Sequence, residues 1–135
     1  MELNNRLENL KEELRASSGA VEADMVINNI RILDIYTETI YPGSLVIKNG
    51  RIVASTPTWE VKAVQEYDGG GNIAIPGLMD AHVHIETTLL TPEALADVIV
   101  PWGTTTLFVD AMEIANVIGI QGLRALLNSE ADLPF

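Results

Sequence analysis

The sequence of 135 residues contains no cysteine and only two histidines. Without cysteine it can form neither a disulfide nor a thiolate metal site, and it has no thiol nucleophile. Eight basic residues stand against nineteen acidic ones, and the net charge of −11 disfavours nucleic-acid phosphates and anionic membranes as partners. It also lacks an apolar run long enough to span a membrane, and its charged N-terminus has no secretory h-region. We therefore expect a cytoplasmic protein that binds neither nucleic acid nor a membrane.

A hydrophobic share of 47% and a charged share of 20% are typical of a folded globular chain. Four leucines at helical spacing predict an amphipathic N-terminal helix within residues 1–20, packed on its own domain rather than on a partner: Leu3, Leu7, Leu10 and Leu14. Short β-branched runs then predict a small antiparallel β unit over residues 21–75. Within it, Asn49-Gly50 between apolar alternations predicts a type I′ hairpin turn, because both central residues need a positive φ.

Residues 76–135 show a different pattern, in which strands alternate with helices. MDAHVHI and TTTLFVD predict two strands. Thr91 followed by Pro92 predicts the start of a first helix that Gly103 closes, and a second helix is predicted roughly from Ile114 to Leu127. This order predicts an α/β fold with the first two units of a parallel sheet or barrel, left incomplete because a closed barrel needs eight strands.

Both histidines lie in the first of these strands, in the sequence PGLMDAHVHIETTLL. Because strand side chains alternate, Asp80, His82, His84 and Glu86 would share one face if the strand reached Glu86. Two imidazoles on one face favour a divalent transition metal such as Mn, Fe or Zn. A catalytic metal needs about three protein ligands, and the further candidates near the site are Glu86, Asp110 and Glu113.

The stretch PGLMDAHVHIE resembles the first barrel strand of the metal-dependent amidohydrolase superfamily, in which a small β-sandwich precedes a TIM-like barrel. From His82 to Leu127 the sequence is similar to bacterial and archaeal adenine deaminases, including the Glu-Ile-Ala-Asn-Val element that begins at Glu113. The resemblance implies the N-terminal part of such an enzyme, with β units from a sandwich at 21–75 and the start of the barrel at 76–135.

The activity implied by this resemblance is the hydrolysis of adenine to hypoxanthine and ammonia through a metal-bound hydroxide. The metal would lie on His82 and His84, as one ion or a binuclear pair in a full-length protein. The general acid and base are unassigned here and, like the other metal ligands, are expected on later barrel strands, so we expect the chain alone to be inactive.

Two positions depart from the family pattern. Met112 stands where the family usually has histidine, in Asp-Pro-His-Glu-Ile-Ala-Asn, and its thioether cannot transfer protons. Thr87-Thr88 replaces the usual Ser-Ser but keeps both hydroxyls. The resemblance implies a purine or a related heterocycle as the substrate of a full-length form.

Two other interpretations stay open. One is another cyclic amidohydrolase, similar to dihydroorotase or hydantoinase, which shares His-x-His but not the element at 113–117. The other is a non-catalytic, truncated remnant that associates with a further copy or an intact homologue through an exposed sheet edge.

Overall fold

The computed structural model describes residues 2–57 and 61–129, and the chain divides into two compact units, Met1–Pro76 and Gly77–Phe135. Among the described residues, the first unit has one helix and five strands: α1 Glu2–Ser17, β1 Ala23–Asp34, β2 Thr39–Lys48, β3 Arg51–Thr56, β4 Ala63–Asp68 and β5 Ile73–Ala74. The described part of the second has two strands and three α-helices: β6 Leu78–Val83, α2 Pro92–Ile99, β7 Thr104–Val109, α3 Met112–Ile118 and α4 Ile120–Ser129.

The sheet of the first unit is mixed, with the order β3-β2-β1-β4 and with β5 also paired to β1. The two hairpins, β1–β2 and β2–β3, are antiparallel as predicted. However, β4 and β5 both pair with β1 in parallel, so the predicted antiparallel arrangement holds for β1, β2 and β3 but does not extend to the rest of the unit. Alternating apolar residues predict that a segment is a strand, but they do not predict which strand it pairs with or in which direction. In the strand order, β4 lies on the side of β1 opposite to β2, and it runs in the same direction as β1.

The core of this sheet is small and aliphatic. Val26 and Val46 face each other across the β1–β2 pair and are fully buried, together with Ala23. The leucines of α1 contribute less to this core than predicted, because Leu7, Leu10 and Leu14 remain 49–62% exposed. The side chain of Leu3 lies outside the described residues. The helix is nevertheless tied to the sheet through the fully buried Ala16 and through an ion pair from Arg51 Nε to Glu13, 3.7 Å long: contacts that the leucine pattern does not predict.

The turn between β2 and β3 has the predicted geometry. Asn49 and Gly50 have φ of 52° and 70°, so both occupy the left-handed region that a type I′ turn requires. Asp24 on the neighbouring strand fixes this turn. Its carboxylate accepts a 2.7 Å hydrogen bond from the Asn49 backbone N–H and a 2.6 Å bond from Lys48 Nζ. The Lys48 hydrogen bond, followed by the Asn49 one, lowers the pKa of Asp24.

Replacing Asp24 by asparagine is expected to lower the melting temperature at pH 7 by about 4 °C, the scale of one or two exposed hydrogen bonds. Since the folded pKa of Asp24 is depressed, its contribution is present above the unfolded pKa and is lost as the pH falls through the folded value. The difference in the free energy of unfolding between wild type and Asp24→Asn should therefore disappear below about pH 4. Chemical denaturation between pH 3 and 7 measures this difference, with Glu66→Gln on exposed β4 as a charge-matched control. A difference that does not change with pH would contradict this role of Asp24.

In the second unit β6 and β7 pair in parallel, and the first connecting helix has the predicted start. Thr91 Oγ1 accepts a 3.3 Å hydrogen bond from the Ala94 N–H, and Pro92 occupies the first turn. Gly103, with φ of 94°, ends the 3₁₀ turn that follows α2. The helix predicted at 114–127 begins earlier, at Met112, and is broken in two at Gly119, whose φ of 69° and ψ of −151° no helix contains. Over the described ranges, no helix is long and apolar enough to cross a membrane.

Candidate metal centre

His82 and His84 lie where β6 ends. The strand stops at Val83, and His84 follows in an extended conformation with φ of −104° and ψ of 102°. The two imidazoles therefore lie side by side, with ring centroids 4.9 Å apart and planes tilted by 51°. This is the arrangement that i, i+2 spacing on extended backbone produces.

Glu86 does not share the strand face predicted for it. After His84 the chain turns into a 3₁₀ helix at Ile85–Thr88, so the period of two ends before Glu86 is reached. The pairing register also shifts between Asp80 and Val83, and the Asp80 carboxylate accepts a 3.0 Å hydrogen bond from the His82 backbone N–H. The strand does not reach Glu86, so the condition for one continuous face from Asp80 to Glu86 is not met.

The parallel pairing brings Asp110 to the histidines. Val83 is paired with Val109 at the carboxyl end of both strands, and the Asp110 N–H donates a 2.9 Å hydrogen bond to the Val83 carbonyl. One Asp110 carboxylate oxygen, Oδ2, is then 3.3 Å from His82 Nε2 and 3.9 Å from His84 Nε2. The carboxylate of one βα unit thus lies beside the imidazoles of the preceding one.

These three side chains form a donor set that fits a divalent transition metal. One potential ligand atom from each of His82, His84 and Asp110 lies within 4.8 Å of the other two. Two imidazole nitrogens and a carboxylate oxygen suit zinc, iron or manganese. Three protein ligands are also about the number that a catalytic metal centre uses.

Glu113 contacts the ring nitrogen of His84 that does not face Asp110. Its Oε2 is 2.9 Å from His84 Nδ1, and the His84 side chain is only 25% exposed. The hydrogen bond to Glu113 raises the pKa of His84, and the negative charges of Glu113, Asp110 and Glu86 add to the increase against the opposing effect of desolvation. A carboxylate on the second ring nitrogen fixes the tautomer and the orientation of a metal-binding histidine.

Glu86 contacts the backbone of α3 instead of the histidines. Its Oε1 accepts a 3.1 Å hydrogen bond from the Ile114 N–H, whereas its Oε2 is buried without a hydrogen-bond partner in the described part of the chain. The sequence singled out Glu86 as close to the site but did not indicate this contact. Met112 begins α3 and is half exposed.

No protein-family model matches the sequence. Curated sequences named adenine deaminase do match it: that of Desulforamulus reducens is 64% identical over 126 residues, that of Lysinibacillus sphaericus 39% over 123, and that of Methanoregula boonei 40% over 119. The resemblance to the adenine deaminase family is confirmed. The matches cover 93%, 91% and 88% of this chain. They cover 21% of each of these adenine deaminases, so the chain spans about a fifth of the length of these relatives.

Solved hydrolase structures share part of the fold. The L-hydantoinase of Arthrobacter aurescens aligns with a TM-score of 0.53 and 24% identity, over 63% of this chain and 20% of that one. The N-acyl-D-glutamate deacylase of Bordetella bronchiseptica, solved with zinc and a phosphonate inhibitor, aligns with a TM-score of 0.56 and 25% identity, over 66% and 19%. The mixed α/β character predicted from the sequence is therefore confirmed.

Proposed function

We propose that this chain is part of an adenine deaminase, and that it contributes His82 and His84 to the metal centre of that enzyme. The overall reaction would convert adenine and water to hypoxanthine and ammonia. The observation that carries the proposal is the convergence of His82, His84 and Asp110 at the carboxyl ends of two parallel strands. Parallel α/β proteins place their active sites at this end of the strands.

The same proposal extends to the architecture. We assign β6 and β7 as the first two strands of an amidohydrolase barrel, and the mixed sheet of the first unit as part of the sandwich that precedes it. The general acid and base would come from the four-fifths of the relatives' length that this chain does not span. The cytoplasmic location and self-association stay predictions.

His82, His84 and Asp110 would hold the ion, which we take to be Mn, Fe or Zn. When bound, such an ion supplies Lewis acidity, which lowers the pKa of a water molecule from about 15.7 to about 7. Glu113 keeps a proton on His84 Nδ1 and so leaves the lone pair of Nε2 free to bind. Asp110 adds negative charge between the two imidazoles, which favours a cation over a neutral occupant.

A chimera tests this proposal in an intact enzyme. Residues 1–135 would replace the matching segment of the Desulforamulus reducens adenine deaminase, which is 64% identical to this chain. We expect the chimera to release ammonia from adenine, the same chimera with His82→Asn to lose that activity, and the 135-residue chain alone to have none. If the folded chimera hydrolyses a cyclic amide such as hydantoin but leaves adenine unchanged, the alternative of a cyclic amidohydrolase is correct instead.

Met112 gives a second test in the same chimera. Because the family usually has an imidazole at this position, Met112→His is expected to raise adenine turnover by about tenfold or more, within the range of one proton-transferring group. Initial rates of ammonia release measure the change, and Met112→Gln controls for polarity alone. An unchanged rate in Met112→His would show that this position does not decide the substrate.

A further inference from the structure

We propose that Glu86 is a positioning residue that holds the start of α3 so that Glu113 stays on His84. The inference rests on the proposed metal centre and adds a residue that does not itself contact the ligand cluster. The observation behind it is the 3.1 Å hydrogen bond from the Ile114 N–H to Glu86 Oε1, which joins two segments 28 residues apart in sequence.

The start of α3 lacks a cap of its own. Ala111 occupies the N-cap position, and its methyl group cannot accept a hydrogen bond from the first turn. The first N–H groups of a helix have no partner within the helix, and a side-chain oxygen normally satisfies one of them. Glu86 performs this task from the preceding βα unit, and its negative charge also suits the positive end of the helix.

Fixing the Ile114 amide also fixes Glu113, because the two residues are adjacent. Glu113 is the residue whose carboxylate lies 2.9 Å from His84 Nδ1. If the first turn of α3 frays, this carboxylate moves and the ring of His84 loses its support. The contacts therefore run from Glu86 to the α3 backbone, then to Glu113, and finally to the imidazole that would bind the metal.

The two oxygens of Glu86 allow a matched pair of variants. Oε1 makes the cap, whereas Oε2 is buried without a partner among residues 2–57 and 61–129. Glu86→Gln keeps an oxygen in the place of Oε1, which accepts the hydrogen bond, and puts an NH₂ group in the place of Oε2. Glu86→Met has a similar length but no such oxygen, so it removes the cap while filling the space.

A double-mutant cycle on metal affinity tests the proposal. Co²⁺ binding to the metal-free chain would be measured for wild type, Glu86→Met, Glu113→Ala and the double variant. We expect each single change to weaken binding about tenfold, as for other groups that orient a ligand. The double variant should also lose about tenfold instead of about 100-fold, because both changes remove the same support. Glu86→Gln should bind within about twofold of wild type, which is well under one tenfold step of 1.4 kcal/mol.

Additive losses, or equal losses in Glu86→Gln and Glu86→Met, would overturn the positioning role. A metal-free measurement separates this failure from a failure of the proposed function. The ¹⁵N spectrum of the His84 imidazole and the hydrogen exchange of the Ile114 amide should both change in Glu86→Met and stay as in wild type in Glu86→Gln. If wild type binds no Co²⁺, the side chains of this chain do not hold a metal without the rest of the enzyme, and the spectrum then decides the role of Glu86: an unchanged His84 resonance in Glu86→Met rejects it.

Discussion

Replacing His84 by asparagine is expected to weaken the binding of Co²⁺ or Zn²⁺ to this chain by about 100-fold or more, a larger loss than follows from removing an outer-shell group. His84 is one of two imidazoles in the protein, and it is the one whose second nitrogen is held by Glu113 at 2.9 Å. Asparagine keeps a polar side chain but is shorter and has no nitrogen that reaches as far from the backbone as Nε2 of the imidazole. Isothermal titration of the metal-free chain measures the loss directly.

His82→Asn should weaken binding less than His84→Asn. The His82 side chain is 64% exposed, and Asp110 at 3.3 Å is its only ion-pair partner within the described ranges, so its ring is less well oriented before the metal arrives. The variant with both changes contains no histidine at all and should show no specific binding. Asp97→Asn, on the exposed side of α2, controls for the loss of one charge or polar contact. Binding that survives in the double variant would mean that carboxylates alone take up the metal, which would contradict the centre.

Gly77→Ala is expected to destabilise the second unit by about 2 kcal/mol, in the range of overpacking in a tight site. A Cβ at this position would contact Thr105 Oγ1 and would lie 2.7 Å from its Cγ2 and 2.8 Å from its Cβ. The Cβ of Thr105 is fixed to the backbone of β7, so the contact cannot be relieved by rotation of the side chain alone. The next residue, Leu78, donates a 2.8 Å hydrogen bond to the Gly103 carbonyl, so a displaced Gly77 disturbs the start of the β6–β7 pair.

The same substitution should also weaken metal binding, because His82 and His84 lie on β6 whereas Asp110 follows β7. Urea denaturation gives the stability, and Co²⁺ titration at low denaturant gives the affinity. Adding Thr105→Ala removes both Cγ2 and Oγ1 and should restore part of the stability lost in Gly77→Ala. If Gly77→Ala is as stable as wild type, or if Thr105→Ala restores nothing, the close approach of Gly77 to β7 does not set the geometry of the pair.

Much of the local structure could be predicted because its causes are local. The Asn49-Gly50 turn follows from the φ angles that those two residues accept, and the start of α2 follows from the hydroxyl of Thr91 and the ring of Pro92. The sequence pattern does not predict the break at Gly119, because an isolated glycine within a helical pattern is usually tolerated. Likewise, the parallel pairing of β4 with β1 depends on how the strands are arranged in the sheet, which strand propensity does not encode.

The sequence by itself determined that both histidines would lie side by side, since extended backbone places residues two apart on one face. It also indicated the resemblance to adenine deaminases, and the one from Desulforamulus reducens is 64% identical to this chain over 126 residues. Only the tertiary structure decided which carboxylates approach the two histidines. Asp110 and Glu113 reach the imidazoles through the parallel pairing of β6 with β7, whereas Glu86, closer in sequence, is carried away to α3 by a 3₁₀ turn. Contacts between segments 28 or 29 residues apart depend on strand register, which is set by the packing of whole elements and not by any one side chain.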